Sequence, residues 1–290
     1  MLKLCKNLNG VHLNEELRAL EDNGTWELTT LPTGKSAIGW KWFYKTKLKS
    51  DGAIERYKAT LVVRGFSQEY GLDYEETFAP AAKMTTVRAV LAVAAIKQWQ
   101  AYQMNVSNAF LHGDLEEVVY IKPPAGYTGP ACTIVAQIGS SLKGNVKSPR
   151  VCKLLKSLYG LRQAPLQWFA KLSSALLSYG FQQSKVDYNL FRKTIGDTYK
   201  AILVYVDDMI ITGNEETEIV AVKSSLHSQF HMKDLGVLRY FLGLEVARSV
   251  KGIFICQRKY ALELIHEVGL DNAKPLQVPM DTNVKLTDLV

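Results

Sequence analysis

Two adjacent aspartates interrupt an apolar segment of this chain, ILVYVDDMIITG at residues 202–213. β-Branched and aliphatic residues flank them on both sides, which is the composition of a buried β-strand, where an unpaired charge costs several kcal/mol. Asp207 and Asp208 therefore fit at a hairpin tip between two strands, where both carboxylates leave the core and point together. Such a tip is compatible with a solvated turn and with a metal site, and this segment alone leaves both interpretations open.

The composition excludes several classes of protein. The chain has 290 residues, of which 47% are hydrophobic and 22% charged, so it is globular rather than disordered. Its longest apolar stretch, VRAVLAVAAI, is too short to span a bilayer, and MLKLCKNLNG lacks the apolar core of an export signal. We therefore expect no membrane segment and an intracellular location, with no preference between cytoplasm and nucleus.

Positive charge is concentrated in two segments of the chain, within a formal net charge of +7. Lysines and arginines are frequent at residues 35–64 and again at 143–162, which suits either nucleic-acid binding or a solvated face. In GWKWFYKTKLK the alternation places Trp40 and Trp42 on one strand face. Stacking on template bases is one interpretation of these tryptophans, and packing in the core is the one we favour.

The order of predicted elements indicates an α+β fold. A hairpin is predicted at 39–66 with its turn at Ser50-Asp51-Gly52, followed by a helix from a Thr85 or Thr86 cap to about Trp99. The remaining predictions are strands at AYQMNV and EEVVYIKPP, a loop at 125–150, helices at about 165–179 and 216–230, the hairpin around Asp207, strands in LRYFLGLEVAR and GIFICQ, a helix KYALELIHEVGL and an extended tail.

The sequence Tyr205-Val206-Asp207-Asp208 resembles the Tyr-x-Asp-Asp box of reverse transcriptases. Other segments resemble blocks of copia-type retrotransposon reverse transcriptases, in the family's order: RYKATLVVRGFSQEYGLDYEETFAPAAKMTTVRAVLAVAA, QMNVSNAFLHGDLEEVVYIKPPAGY, KLLKSLYGLRQAPLQWF, MKDLGVLRYFLGLEVARS and IFICQRKYALELI. The resemblance implies a right-hand polymerase fragment of a Pol polyprotein, with fingers, a palm and a truncated thumb. We divide it into a lead-in at 1–24, fingers and palm at 25–250 with a loop insertion at 128–150, and the start of the thumb and a tail at 251–290.

The chemistry implied by this resemblance is attack of a primer 3′-hydroxyl on the α-phosphate of a dNTP, with pyrophosphate leaving, on an RNA or DNA template–primer. Two Mg²⁺ ions, or Mn²⁺ in their place, would stabilise charge on the attacking and leaving oxygens. The resemblance gives as their ligands Asp207, Asp208, the backbone carbonyl of Val106 and a third aspartate in a Met-Asp-Val sequence. That place in this chain reads Met104-Asn105-Val106, so Asn105 stands at the position of the first catalytic aspartate.

Asn105 offers an amide oxygen but no negative charge. One unit charge about 4 Å from a metal is worth about 4 kcal/mol per unit of ion charge at an effective dielectric of 20, and about 1.4 kcal/mol corresponds to a tenfold change in rate. We therefore predict a weak or inactive polymerase. Asp114 lies nine residues further along, beyond the next turn, and is not expected to substitute. An inactive nucleic-acid-binding remnant is the alternative, and a phosphohydrolase is disfavoured because no general base accompanies the aspartates.

The resemblance also implies roles around the nucleotide. Phe110 matches the aromatic steric gate, although a core phenylalanine is the alternative, and the backbone N–H groups of Asn108 and Ala109 would face the triphosphate. The remaining matches are Tyr159 and Gly160 in the nucleotide and template pocket, Lys58 and Arg64 as phosphate or template contacts or as ordinary surface charges, and Phe241-Leu242-Gly243 as the primer grip. Thr60 replaces a usual arginine, which removes a further basic group.

Overall fold

The computed structural model describes residues 5–48, 53–124, 127 and 150–275. Within them the helices are α1 (Cys5–Asp22), α2 (Met84–Ile96), α3 (Ala164–Ser178), α4 (Glu216–Phe230) and α5 (Arg258–Glu267). The strands are β1 (Trp26–Thr30), β2 (Trp40–Leu48), β3 (Ile54–Val63), β4 (Ala101–Val106), β5 (Tyr120–Ile121), β6 (Arg150–Leu154), β7 (Gln182–Gln183), β8 (Leu190–Ile195), β9 (Thr198–Tyr205), β10 (Asp208–Gly213), β11 (Met232–Val237), β12 (Tyr240–Phe241), β13 (Leu244–Ser249) and β14 (Gly252–Cys256). No helix in these parts of the chain has the length and apolar character needed to cross a bilayer.

The chain divides into two compact units, Met1–Val237 and Leu238–Val290. A six-stranded antiparallel sheet of order β11-β4-β10-β9-β8-β7 lies in the first unit. Alternating residues of its strands point to one face, where the apolar residues of α3 and α4 cover them. The resulting core contains Met104, Val106, Ile202, Val204, Met209 and Ile211 from the sheet and Trp168, Leu172, Leu176, Ile219, Leu226 and Phe230 from the helices. The first unit therefore mixes helices with an antiparallel sheet.

A second core lies between α1, the hairpin of β2 and β3, and the three-stranded sheet of order β1-β6-β5. Leu17 and Leu20 of α1 are buried in it, so the segment predicted as a lead-in contains a packed helix. Trp40 and Trp42 pack against the same core with ring centroids 6.2 Å apart. This packing agrees with the interpretation favoured from the sequence, whereas Phe43 on the opposite strand face is 53% exposed.

The start and end of α2 differ from the sequence prediction. The helix begins at Met84, and neither predicted threonine caps it. Thr86 instead hydrogen-bonds to the Asp187 carboxylate, which also accepts the backbone N–H of Lys83 at 3.0 Å. This contact comes from a residue distant in sequence, so a local capping pattern could not predict it. The helix ends at Ile96 rather than near Trp99 because the chain turns left-handed at Gln98, with φ of 57°.

Two predictions near β5 and β6 also need correction. The predicted strand EEVVYIKPP is reduced to β5, because only Tyr120 and Ile121 pair with β6. Arg150, placed in the loop insertion at 128–150, is the first residue of β6 and pairs with Thr30. The rest of that insertion, the predicted turn at 50–52 and the tail beyond 275 lie outside the described residues.

The second unit contains a three-stranded sheet of order β12-β13-β14 followed by α5. The strands match the predicted segments, and β13 and β14 join at the predicted turn between Ser249 and Gly252. Helix α5 buries none of its residues in the described part of the chain. Its predicted apolar face, which includes Leu264 and Ile265, is therefore exposed.

Candidate active site

The two aspartates lie at the tip of the β9–β10 hairpin. Tyr205 pairs with Asp208 across the ladder, which leaves Val206 and Asp207 as a two-residue turn. Val206 has φ of 56°, a left-handed conformation that β-branched residues rarely adopt and that stores local strain. The indole nitrogen of Trp168 in α3 donates a hydrogen bond of 2.7 Å to the Val206 carbonyl. A buried side chain of a covering helix therefore holds the strained turn in place.

Asn105 lies directly opposite Asp208 in the ladder between β4 and β10. Its side-chain nitrogen donates to Asp208 Oδ1 at 3.2 Å and to Asp207 Oδ2 at 3.4 Å. The backbone N–H of Val106 donates to the backbone carbonyl of Asp207 at 2.8 Å. These contacts bring together the three side chains that the sequence proposed as one catalytic group, on strands separated by about 100 residues.

Two further residues flank this group, and sequence reasoning did not name either of them. Gln103 donates from Nε2 to Asp208 Oδ1 at 3.2 Å. Lys233 of β11 lies opposite Asn105 on the other side of β4. Period-two alternation places Gln103 on the same face as Asn105, and that signal could have identified it. Lys233 needed the strand order, which the sequence does not state.

The donor atoms at the tip suit a hard cation in type, but they include two carboxylates rather than three. Asp207 and Asp208 provide carboxylate oxygens, and rotation of the Asn105 amide would replace its nitrogen with an oxygen. No cluster of three or more His, Cys, Asp or Glu side chains suited to a metal ion occurs in the described residues. Asp114 pairs with Lys171 at 2.5 Å, so its charge is directed to another partner.

Phe110 and Tyr159 form an aromatic pair beside the hairpin. Their ring centroids are 5.0 Å apart at 65° in an edge-to-face arrangement. Burial raises the pKa of Tyr159 to about 12, and the negative charges of Asp207 and Glu16 add to the effect. The phenol is therefore neutral at physiological pH and close enough to Asp207 to feel its charge. Phe110 is partly buried and contacts both cores, so packing accounts for part of its surface.

Tyr159 and Gly160 also fix the end of β3. The backbone N–H of Val63 donates to the Tyr159 carbonyl at 2.7 Å. Gly160 has φ of 92°, and a Cβ there would lie 2.1 Å from the Val63 carbonyl oxygen. Only glycine fits this left-handed and closely packed position. Arg64 follows β3 but donates its backbone N–H to the Gly39 carbonyl, and its exposed side chain lies beside Gly39.

A cleft of about 550 Å³ lies between α1, β3 and the turn that follows β4. Lys58 lines it and donates from Nζ to Asn108 Oδ1 at 3.0 Å. Asn108 has φ of 56° and begins the 3₁₀ turn Ala109–His112 that carries Phe110. Glu16 of α1 lines the same cleft, and burial raises the pKa of its carboxyl against the opposing charge of Lys58. Basic and acidic groups therefore meet in this cleft, which Arg64 does not line.

The predicted primer grip lies in the second unit. Leu242 and Gly243 connect β12 to β13, and Phe241 pairs with Leu244 across the ladder. Both connecting residues have left-handed φ angles, 52° for Leu242 and 77° for Gly243. Two consecutive left-handed residues form the two-residue connection that matches the twist of a tight hairpin. The three residues thus form a defined hairpin within their own unit.

Comparison with known proteins decides the family. A family model described as reverse transcriptase (RNA-dependent DNA polymerase) matches residues 23–282. The chain belongs to this reverse transcriptase family. It is 37% identical over 278 residues to the retrovirus-related Pol polyprotein from transposon TNT 1-94 of Nicotiana tabacum. This alignment covers 95% of this chain and 20% of that protein. The chain is also 39% identical over 276 residues to the retrovirus-related Pol polyprotein from transposon RE1 of Arabidopsis thaliana, in an alignment that covers 95% of this chain and 18% of that protein.

A shorter match extends the family to yeast. This reverse transcriptase domain is 30% identical over 179 residues to the putative transposon Ty5-1 protein of Saccharomyces cerevisiae, covering 61% of the chain and 53% of that protein. The chain spans about a fifth of the length of the two plant polyproteins, 20% and 18% respectively. These relatives confirm the prediction that the chain is a reverse transcriptase domain of the kind found in copia-type Pol polyproteins.

Proposed function

We propose that this reverse transcriptase domain is a right-hand polymerase whose RNA-directed DNA synthesis is impaired at Asn105. The observation that carries the proposal is the meeting of Asp207, Asp208 and Asn105 at one hairpin tip, with amide-to-carboxylate contacts of 3.2 and 3.4 Å. Fingers and palm would occupy 25–250 after the lead-in at 1–24, with the insertion at 128–150. The thumb would begin within 251–290.

Asp207, Asp208 and the backbone carbonyl of Val106 would hold the divalent cations, with two Mg²⁺ expected and Mn²⁺ as an alternative. When bound, the metal supplies Lewis-acid stabilisation of the charge that develops in phosphoryl transfer. The chain's own contribution is to aim two carboxylates in one direction from a turn held by Trp168. Asn105 completes the oxygen set only when its amide rotates, and it contributes no charge.

The incoming dNTP would occupy the cleft beside β4. Lys58 would contact the triphosphate, and the backbone N–H groups of Asn108 and Ala109 at the start of the 3₁₀ turn would face its phosphates. Phe110, positioned against Tyr159, would exclude a ribose 2′-hydroxyl. The proposed roles for Gly160 and Arg64 are contacts to the template or the nucleotide, and Phe241-Leu242-Gly243 would position the primer. An RNA or DNA template–primer is the proposed macromolecular partner.

The size of the impairment follows from the missing charge. At about 4 Å and an effective dielectric of 20, one charge is worth about 4 kcal/mol per unit of ion charge. This corresponds to about three orders of magnitude in rate. We therefore propose a residual or undetectable polymerase activity in the chain as it stands.

A catalytically inactive nucleic-acid-binding remnant is the second candidate. The Asn105 amide hydrogen-bonds to both aspartates and so satisfies them without a cation. A site of this kind keeps its shape when no metal binds. Basic residues such as Lys58 would still attract nucleic acid in a salt-dependent manner.

Primer extension separates the two candidates. The assay uses a primed RNA template with dNTPs and Mg²⁺ or Mn²⁺, and compares the parent chain with Asn105→Asp and with Asn105→Asp, Asp207→Ala. Extension that appears in Asn105→Asp and disappears in the double variant supports an impaired polymerase. Salt-dependent template binding with no extension in any variant supports the remnant. Failure of every variant to bind either template or nucleotide would contradict both.

A further inference from the structure

Gln103 provides a second amide contact to the hairpin tip. Its Nε2 donates to Asp208 Oδ1 at 3.2 Å, and the Asn105 Nδ2 donates to the same oxygen at 3.2 Å. Asp208 Oδ1 therefore accepts hydrogen bonds from two side chains of one strand. Its other oxygen, Oδ2, takes part in neither of these two bonds.

The position of Gln103 follows from the strand register. In β4 the buried residues Met104 and Val106 alternate with the half-buried Gln103 and Asn105, so the two amides share the face opposite the core. Across the ladder Asn105 pairs with Asp208, and Gln103 pairs with Ile210. A glutamine side chain is long enough to reach diagonally from its own pair to the neighbouring aspartate.

Packing alone does not require this contact. Gln103 is only half-buried, so water could satisfy its amide if the side chain pointed away from the aspartate. The amide is instead aimed at a carboxylate, where a hydrogen bond to a charged acceptor is stronger than one between neutral groups. The bond fixes which oxygen of Asp208 faces the strand and which is left for another ligand.

We propose that Gln103 is a positioning residue that orients Asp208 for cation binding. It would hold Oδ1 through its N–H, so that Oδ2 is presented to the divalent cation in a defined direction. Hydrogen bonds to ligating carboxylates tune metal sites in this manner, and their loss typically costs 10–100-fold in metal affinity or activity. This inference rests on the proposed polymerase site and assigns a new role within it.

The test measures Mn²⁺ binding by electron paramagnetic resonance titration of the full chain, without substrate. Gln103→Met keeps the length of the side chain and removes its amide. The matched control is Gln182→Met, at an exposed glutamine of the edge strand β7 in the same sheet. Both substitutions are made in the parent chain and in Asn105→Asp, where the restored charge strengthens binding, and circular dichroism checks that each variant is folded.

We expect Gln103→Met to weaken Mn²⁺ binding by about 10–100-fold while Gln182→Met leaves it unchanged. The spectrum of bound Mn²⁺ should also change in Gln103→Met, because one ligand loses its fixed orientation. When Gln103→Met is added to Asn105→Asp, the kcat of primer extension should fall, with little change in KM for the template–primer. Equal Mn²⁺ affinities in Gln103→Met and its parent, or equal losses in both methionine variants, would overturn the inference. Absence of Mn²⁺ binding in Asn105→Asp itself would overturn the proposed polymerase site instead.

Discussion

Replacing Asn105 by aspartate tests whether residue 105 shares one electrostatic site with the hairpin carboxylates. The Asn105 nitrogen lies 3.4 Å from Asp207 Oδ2 and 3.2 Å from Asp208 Oδ1. Aspartate would replace these two attractive contacts with two repulsions between like charges. Each pair costs about 1 kcal/mol in a water-like dielectric and about 5 kcal/mol at an effective dielectric of 20.

All three side chains are half-buried, and in the metal-free site no nucleotide keeps water from them, so solvent screens their charges and the lower part of this range applies. We expect Asn105→Asp to lose about 2–3 kcal/mol of unfolding free energy when no metal is bound. For a domain of this size about 1 kcal/mol corresponds to about 2–4 °C in Tm, so Tm should fall by about 5–10 °C. A divalent cation would remove the repulsion and restore stability, since it binds the native state and not the unfolded chain.

Thermal unfolding followed by circular dichroism, with chelator and with excess Mg²⁺, measures both effects. Asn105→Leu is the matched control because it removes the amide contacts without adding a charge. We expect a Mg²⁺-dependent rise in Tm that is larger for Asn105→Asp than for the parent or Asn105→Leu. A shared electrostatic site is refuted if Asn105→Asp unfolds at the parent's temperature in chelator and gains no more stability from Mg²⁺ than the parent does.

Three further predictions concern the surroundings of the hairpin. Gly160→Ala should destabilise the chain by more than about 3 kcal/mol, because a Cβ there would lie 2.1 Å from a backbone oxygen. Gly34 also has a positive φ but lies in open space, so Gly34→Ala should cost about 1 kcal/mol, and chemical denaturation compares the two variants. Lys58→Met should weaken binding of a dNTP by about 10–100-fold, since it removes a charged donor worth about 1.5–3 kcal/mol. Lys41→Met, at an exposed position of β2, should leave dNTP binding unchanged, and calorimetric titration compares the two variants. Burial lowers the pKa of His112, helped by nearby positive charges, so the folded state stays neutral while the unfolded histidine takes up a proton near its ordinary pKa of 6.5. The unfolding free energy should therefore fall as pH drops below about 6.5, and less so in His112→Gln, as denaturation at a series of pH values would reveal.

Local sequence patterns predicted most elements of the chain. The helix Glu216–Phe230 has the predicted bounds, and the β9–β10 hairpin lies where alternating apolar residues and the paired aspartates placed it. Helix α1 and strands β1, β7, β8 and β11 were not predicted. Two further errors arose where a distant partner decides the outcome. Asp187 hydrogen-bonds to the start of α2, and only two residues of the predicted strand EEVVYIKPP pair with β6. Neither effect is present in the local sequence.

The candidate site shows the same division between local and distant signals. The resemblance to reverse transcriptases selected Asp207, Asp208 and Asn105, and the structure places them in contact. Trp168 was not selected, because its hydrogen bond to the Val206 carbonyl joins residues 38 positions apart in sequence. A helical pattern explains the burial of this tryptophan but does not indicate that its nitrogen reaches the hairpin.

The structure separates loss of charge from loss of shape at the tip. If the fold around the site had degenerated together with the change to Asn105, we would expect the strained turn at Val206 to lose its hydrogen bond from the buried Trp168. The turn is held, and Asn105 occupies the ladder position opposite Asp208 in register. An amide at this position also removes the mutual repulsion that a third carboxylate would impose in the absence of metal. A site that is intact in shape but short of one charge should respond to restoration of that charge alone, whereas a decayed site should need changes elsewhere as well.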